Sequence, residues 1–277
     1  MAGIAWVNGK LLPPDAPAIS PLDGGFMYGE GLFETMRAYN GRVFRLRQHL
    51  ERLIVSADDL SFTPPNAEKL TLAVEEALGQ SDLDDAIVRL TVTPGVAGSP
   101  TPTVVVLVRP LALPPPQLYE SGCLAVSVAA AHTADNPLRR IKSLNYLDKL
   151  LAQRAAARRD AHEAILVEPD GCVIEGAMRN IFAVFSGELV TPPLSRALLP
   201  GITRVTVLEI AEKESSIPTH ERDIPLTELY TADEAFLTSS IAEIIPIASL
   251  DGNSLKTEAP GHVTTSITKL YRALTVV

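Results

Sequence analysis

Cysteine is scarce in this chain, with two in 277 residues, Cys123 and Cys172. Two cysteines make neither a disulfide framework nor a four-cysteine metal site. Both stand in apolar, strand-like settings and read as buried core thiols. Histidine is sparse too: five residues are scattered along the chain, none at ligand spacing from another His, Cys or carboxylate, so a structural metal is not expected. Basic residues are in deficit, 24 against 33 acidic for a net charge of −9, which argues against a nucleic-acid partner and for an acidic, soluble surface. No segment approaches the roughly 18 consecutive apolar residues of a membrane span. The opening MAGIAWVNGKLLPPD also lacks the basic-then-apolar layout of a leader. The expectation is a cytoplasmic protein with no membrane partner.

What is present is the composition of a globular protein, 46% hydrophobic and 21% charged, and long enough for two modest domains with real cores. No internal repeat or low-complexity tract appears. Arg109 to Gly122 (RPLALPPPQLYESG) holds four prolines in 14 residues and excludes a regular helix or central strand. The domain boundary is therefore placed there: residues 1–109 form one domain, 110–122 a linker and 123–277 a second domain.

In the first domain, Asn8-Gly9 and Asn40-Gly41 each lie between strand-like runs and predict hairpins. The glycines of GGFMYGEG, Gly24 to Gly31, predict a turn at which backbone approaches something closely. Tyr28 within it and Phe33 just after it could line a pocket. Leu46, Leu50, Leu53, Ile54, Ala57 and Leu60 recur at helical spacing, with Arg52 one position off the stripe. Asn66 to Gln80 predicts a second helix, and Ala86 to Thr93 and Thr103 to Val108 predict strands. Arg89 interrupts the first of these strands, so it needs an ionic partner or an anionic ligand.

The second domain is organised around Arg139-Arg140-Ile141-Lys142-Ser143-Leu144-Asn145-Tyr146-Leu147. Upstream, Cys123 to Ala131 reads as a buried strand; downstream, Leu144 to Arg158 has Leu and Ala at helical spacing. Lys142 therefore stands at a strand-to-helix junction, where an ammonium can be desolvated toward the neutral amine that attacks an aldehyde. Short strands are expected over 164–168, 173–175, 181–185 and 189–191, joined by tight turns into an antiparallel run. Gly201-Ile202-Thr203 opens a helix reaching about Glu214, and its free N–H groups with the Thr203 hydroxyl make an anion site. A strand over 235–238 and a helix from about Gly261 complete the chain.

Lys142 is followed in order by EGAMRNIF (Glu175 to Phe182), LLPGITR (Leu198 to Arg204) and LTSSIAEIIP (Leu237 to Pro246). Four separated motifs in this order resemble the class IV aminotransferases, the fold-type IV pyridoxal-phosphate enzymes that include D-amino acid transaminase, branched-chain aminotransferase and aminodeoxychorismate lyase. The resemblance, from about Trp6 to Tyr271, implies an α+β fold of two domains, a smaller N-terminal α/β sandwich and a larger C-terminal pseudo-barrel. It implies pyridoxal 5'-phosphate between them, and a homodimer in which the loop after Arg89 reaches the neighbouring subunit. It also implies roles: Lys142 as imine former and proton carrier; Glu175 on the pyridine nitrogen; Asn180 orienting Glu175 or its turn; Arg52, Ile202, Thr203, Ser239 and Ser240 on the phosphate. Tyr146, four residues past Lys142 on one helical face, would meet the ring oxygen.

The substrates expected are amino acids and 2-keto acids. The loop after Arg89 lacks the arginine and histidine of one type of D-amino acid transaminase. Ile87 stands where branched-chain enzymes have tyrosine. Arg179 occupies a position that is usually small or acidic, and with Arg89 it could clamp a substrate carboxylate, unless either pairs with Asp23, Glu30 or another acid. A transaminase favouring D-amino acids such as D-alanine or D-glutamate is the leading expectation. Alternatives are a branched-chain L-amino acid transaminase with Phe33, Tyr28 and Ile241 around the side chain, or aminodeoxychorismate lyase.

Overall fold

The computed structural model describes residues 3–16, 18–131, 135–215 and 217–275. They divide into two compact units. The first takes the chain up to Ala112 together with Ile141–Asn145, and the second takes Leu113–Arg140 with Tyr146–Thr275.

The first unit holds β1 (Ile4–Val7), β2 (Lys10–Leu12), α1 (Gly24–Tyr28), β3 (Leu32–Tyr39), β4 (Arg42–Val43), α2 (Leu46–Asp59), α3 (Ala67–Gly79), β5 (Ala86–Thr93) and β6 (Thr103–Pro110). Its six strands form an antiparallel sheet in the order β2-β1-β6-β5-β3-β4. Both Asn-Gly pairs close hairpins as expected, with both residues of each turn at positive φ. Burial alternates along β5, where Ala86, Val88, Leu90 and Val92 are inward and Ile87, Arg89 and Thr91 are only half-buried, so Arg89 sits on the face opposite the strand's core residues. Helix α3 is capped by Asn66, whose side chain accepts from Lys69 N at 3.0 Å. The Gly24 to Gly31 stretch is not simply a turn. Asp23 caps it, accepting from Gly25 N at 2.8 Å, and it winds once as α1 before Gly29 stops it at φ 69.

The second unit holds α4 (Gln117–Glu120), β7 (Cys123–Ala129), α5 (Leu147–Ala157), β8 (Glu163–Val167), β9 (Val173–Gly176), β10 (Asn180–Phe185), β11 (Glu188–Thr191), α6 (Ile202–Ile210), β12 (Thr219–Glu221), α7 (Leu226–Leu229), β13 (Glu234–Ser239), β14 (Glu243–Leu250), β15 (Asn253–Ser254) and α8 (His262–Thr275). The nine strands form one sheet in the order β12-β11-β10-β13-β14-β7-β8-β9, with β15 added to β14, curled into a half-barrel. Its core is built from Ile165, Val173, Ile181, Leu237, Ile245 and their neighbours.

Several expectations are corrected here. The sheet is mixed, because β7 runs parallel to both β8 and β14, and β11 runs parallel to β12. Strand β14 lies beyond the strand expected over 235–238, and it contains Pro246. Pro246 faces Phe236 of β13 but lies just before the β7 register, which starts at Ile247, so its missing N–H falls where the second ladder has not begun. The proline-rich linker includes the single turn α4. Cys123 is buried, whereas Cys172 is half-buried next to the Asp170-Gly171 turn, so only one of the two thiols belongs to the core. Helix α5 begins at Leu147, not Leu144, which leaves the lysine segment irregular.

Candidate functional site

Each unit contributes a separate set of groups. In the first unit, Ile141–Asn145 lies as an extra extended segment along the start of β3. Phe33 N donates to the Lys142 carbonyl at 2.9 Å, Leu144 N to the Gly31 carbonyl at 2.9 Å, and Asn145 Nδ2 to the Gly29 carbonyl at 2.9 Å. The close approach expected of the glycines is visible here. A Cβ at Gly29 would come within 2.9 Å of Asn145 Oδ1, and one at Gly31 within 2.8 Å of the Val92 carbonyl. The backbone of Lys142 is thus held on both sides. Its ammonium stands 4.6 Å from the centre of the Phe33 ring, and the Arg89 guanidinium carbon lies 3.8 Å from the same ring.

Glu34, between Leu32 and Met36 on β3, points to the other face of the strand. It is fully buried and binds Arg52 through two arms, Nε to Oε1 at 2.8 Å and Nη2 to Oε2 at 2.5 Å. His49 Nδ1 lies 2.7 Å from Oε2. Burial holds the His49 imidazole below its ordinary pKa, so its neutral ring donates Nδ1–H. Burial opposes ionisation of Glu34, but Arg52 and His49 outweigh it and bring the carboxyl down to about 2. Arg52 is therefore a fixed, almost buried cation and not a solvated helix arginine.

In the second unit, Glu175 at the end of β9 is buried. Asn180 Nδ2 reaches its Oε2 at 3.2 Å while also donating to the Leu199 carbonyl at 2.9 Å, and Leu199 N approaches Oε2 at 3.4 Å. Lys149 Nζ sits on Oε1 at 2.7 Å. Although burial opposes its charge, Glu175 and Tyr146 raise the Lys149 pKa, so this amine stays protonated. Tyr146 occupies the N-cap of α5 and not a helical position four residues past Lys142. Burial pushes its phenol pKa up.

Helix α6 starts at Gly201, where a Cβ would collide with Asn180 Oδ1. The nearly buried Ile202 and the buried Thr203 form its first turn. Among the described residues, the buried hydroxyls of Thr203 and Thr238 have no hydrogen-bond partner. A buried, unpaired hydroxyl costs free energy unless a ligand satisfies it, so a helix N-terminus carrying one suits an anion such as phosphate. Ser239 and Ser240 follow Thr238 at the end of β13; Ser239 Oγ accepts from Ala242 N at 3.3 Å, and Ser240 and Ile241 are half-buried. The donors, the buried carboxylate and the primary amines are the chemistry that pyridoxal phosphate requires.

Arg179, expected either to clamp a carboxylate with Arg89 or to pair with an acid, has an acidic partner. Its Nη1 donates to Glu163, which is fully buried on β8 and also accepts from Met178 N at 2.8 Å. Tyr28 is 70% exposed on α1. Sequence reasoning missed Glu34, His49, Lys149 and Glu163. Glu34 was detectable, since an acid between Leu32 and Met36 occupies a core position of the alternation. Lys149 carried no comparable signal.

The family model for class IV amino-transferases matches residues 31–250. A putative branched-chain-amino-acid aminotransferase of Methanocaldococcus jannaschii is 37% identical over 276 residues, covering 96% of this chain and 94% of that protein. A D-alanine aminotransferase of Bacillus licheniformis is 34% identical over 274 residues, covering 94% and 93%. Among solved structures, the branched-chain amino acid aminotransferase of Escherichia coli superposes with a TM-score of 0.93 at 29% identity, covering 99% of this chain and 95% of that one.

Proposed function

The chain belongs to the class IV aminotransferases and is a pyridoxal-phosphate enzyme, and from that premise we propose that it moves amino groups between a branched-chain L-amino acid and a 2-keto acid. The single observation that carries this substrate reading is the pairing of Arg179 with Glu163. It gives Arg179 a partner other than substrate, which favours Arg89 as the arginine for a carboxylate and weighs against the two-arginine arrangement behind the D-amino acid reading. The D-alanine aminotransferase relative supports D-amino acid transamination as the second reading.

When bound, pyridoxal phosphate supplies an electron sink for the charge left on Cα as its proton departs. Lys142 would hold the cofactor's aldehyde carbon through its amine and, when free of it, would be placed to move a proton at the substrate Cα. Glu175, oriented by Asn180, would face the ring nitrogen and favour its protonated form. Arg52, Ile202, Thr203, Ser239 and Ser240 would bind the phosphate, and Tyr146 would orient the ring oxygen. Phe33, Tyr28 and Ile241 meet the substrate side chain. Lys149 is unfit for imine formation because Glu175 keeps it charged.

A homodimer is part of the same reading. Phe26, Met27 and Tyr28 on α1, with Leu22 before it, are exposed, and a second copy is the partner assigned to them. Among the described residues no helix is long and apolar enough to cross a membrane, and the composition supports a cytoplasmic location.

The test is a half-reaction screen with L-leucine, D-alanine, D-glutamate and aminodeoxychorismate. L-leucine should react fastest; a faster D-alanine reaction would replace the branched-chain reading with the second one. Borohydride reduction and peptide mapping should place the cofactor on Lys142, and finding it on Lys149 would reverse the assignment of the two lysines.

A further inference from the structure

Glu175 is unusually well supplied with donors before any ring nitrogen is considered. An ionised carboxylate offers about four lone-pair sites. Asn180 and Leu199 N are directed at Oε2, and Lys149 lies on Oε1 at 2.7 Å. One direction on Oε1 is left for a further donor. The Lys149 side chain is only 12% exposed, and its ammonium also lies 5.6 Å from the centre of the Tyr146 ring. This cation cannot swing into water without leaving its place, and water screens it weakly.

We propose that Lys149 is a positioning residue that acts through Glu175: it fixes Oε1 and, as a permanent neighbouring cation, weakens the hold of the cofactor's ring nitrogen on its proton. The proposal rests on the assignment of Glu175 to that nitrogen. Two effects oppose each other. Glu175 favours the pyridinium, whereas Lys149 consumes part of the carboxylate's charge and repels a second positive charge nearby. The ring nitrogen is then protonated but not locked, so the strength of the electron sink is graded by the lysine. Other groups facing this pair are Tyr146 and Asp148 from the start of α5, Glu163 on β8 and Arg179 before β10. Glu163 and Arg179 bind each other, which leaves Lys149 as the cation directly on Glu175.

A cavity of about 250 Å³ lies beside the lysine, lined by Val128, Asp148, Leu151, Ala152 and Leu166, so a side chain of equal length can be accommodated. The experiment loads wild type and variants with pyridoxal phosphate labelled at the ring nitrogen and follows its NMR shift against pH. Lys149→Met should raise the ring-nitrogen midpoint by about one pH unit or more, the effect of removing one partly screened charge. Lys149→Gln keeps a hydrogen bond to Oε1 without the charge, should behave alike, and serves if the Met variant does not fold. Lys149→Arg should restore the wild-type midpoint, which a merely structural role for the lysine would not predict. Coincident midpoints in wild type, Met and Gln variants overturn the proposal, as does a wild-type ring nitrogen that keeps its proton across the protein's whole stable pH range. Glu175→Gln separates the two readings. If it lowers the midpoint while the Lys149 variants do nothing, only the Lys149 inference falls; if it leaves the midpoint unmoved, the Glu175 assignment falls and takes this one with it.

Discussion

Glu34 in the first unit and Glu163 in the second are both fully buried carboxylates paired with arginine, yet they respond to burial in opposite ways. Glu34 accepts two arms of Arg52 and the ring N–H of His49, and its carboxyl falls to about 2 from 4.5. Glu163 has one arm of Arg179 and one backbone N–H. There burial wins, and the nearby Glu175 adds repulsion, so its pKa rises. Burial by itself therefore does not set the charge state. What decides is whether enough donors converge to replace the lost water. The first arrangement fixes the Arg52 guanidinium in one place through two hydrogen bonds. The second holds Arg179 through one arm, and among the described residues its buried Nε has no hydrogen-bond partner.

The comparison can be broken most sharply by deleting the carboxylates. Glu34→Ala would strand the nearly buried Arg52 and should cost about 3–5 kcal/mol of stability, whereas Glu163→Ala, facing a more exposed guanidinium, should cost about 1–3 kcal/mol. Urea unfolding of the two variants checks the order, and equal losses would remove the distinction.

The pH dependence should differ in sign. Because the folded pKa of Glu34 lies below its unfolded value, its contribution is complete above pH 4.5 and is lost as pH falls toward about 2. By linkage that loss amounts to about 3 kcal/mol. Glu163 has a raised folded pKa, so its favourable contribution is present below the unfolded value and fades as pH rises through the folded one. Acid titration of stability should flatten in Glu34→Gln, while Glu163→Gln should remove a decline that sets in as pH rises above the ordinary carboxyl value of 4.5.

The smallest effect concerns substrate. If Arg179 serves Glu163 and not the substrate carboxylate, Arg179→Ala should change the binding of L-leucine by less than about 0.5 kcal/mol while lowering stability. A loss of about 1.5–3 kcal/mol in substrate binding, the range for charged hydrogen bonds, would return Arg179 to the substrate and revive the D-amino acid reading.

Much of the fold was legible because it rests on local signals. The Asn-Gly hairpins, the Asn66-capped helix and the alternating β5 are each specified by a few adjacent residues. The family was legible because four motifs occur in order. Less visible were the sheet's parallel joints and β14, which depend on partners far along the chain. Position 146 was misread as helical because Leu and Ala favour a helix regardless of where tertiary contacts let it begin.

The sequence by itself determined which groups are expected to react: a lysine in KSLNYL, a glutamate in EGAMRN, and a helix opening at GIT with its hydroxyl. These follow from residue type and short-range backbone geometry. Only the tertiary structure decided their charge states and allegiances: that Glu34 fastens Arg52, that Glu163 takes Arg179, and that Lys149 rests on Glu175. The physical reason is that an ionisable side chain is governed by the desolvation and charges around it. Those are supplied by residues from 16 to 26 positions away in the chain, brought close only when the sheets form.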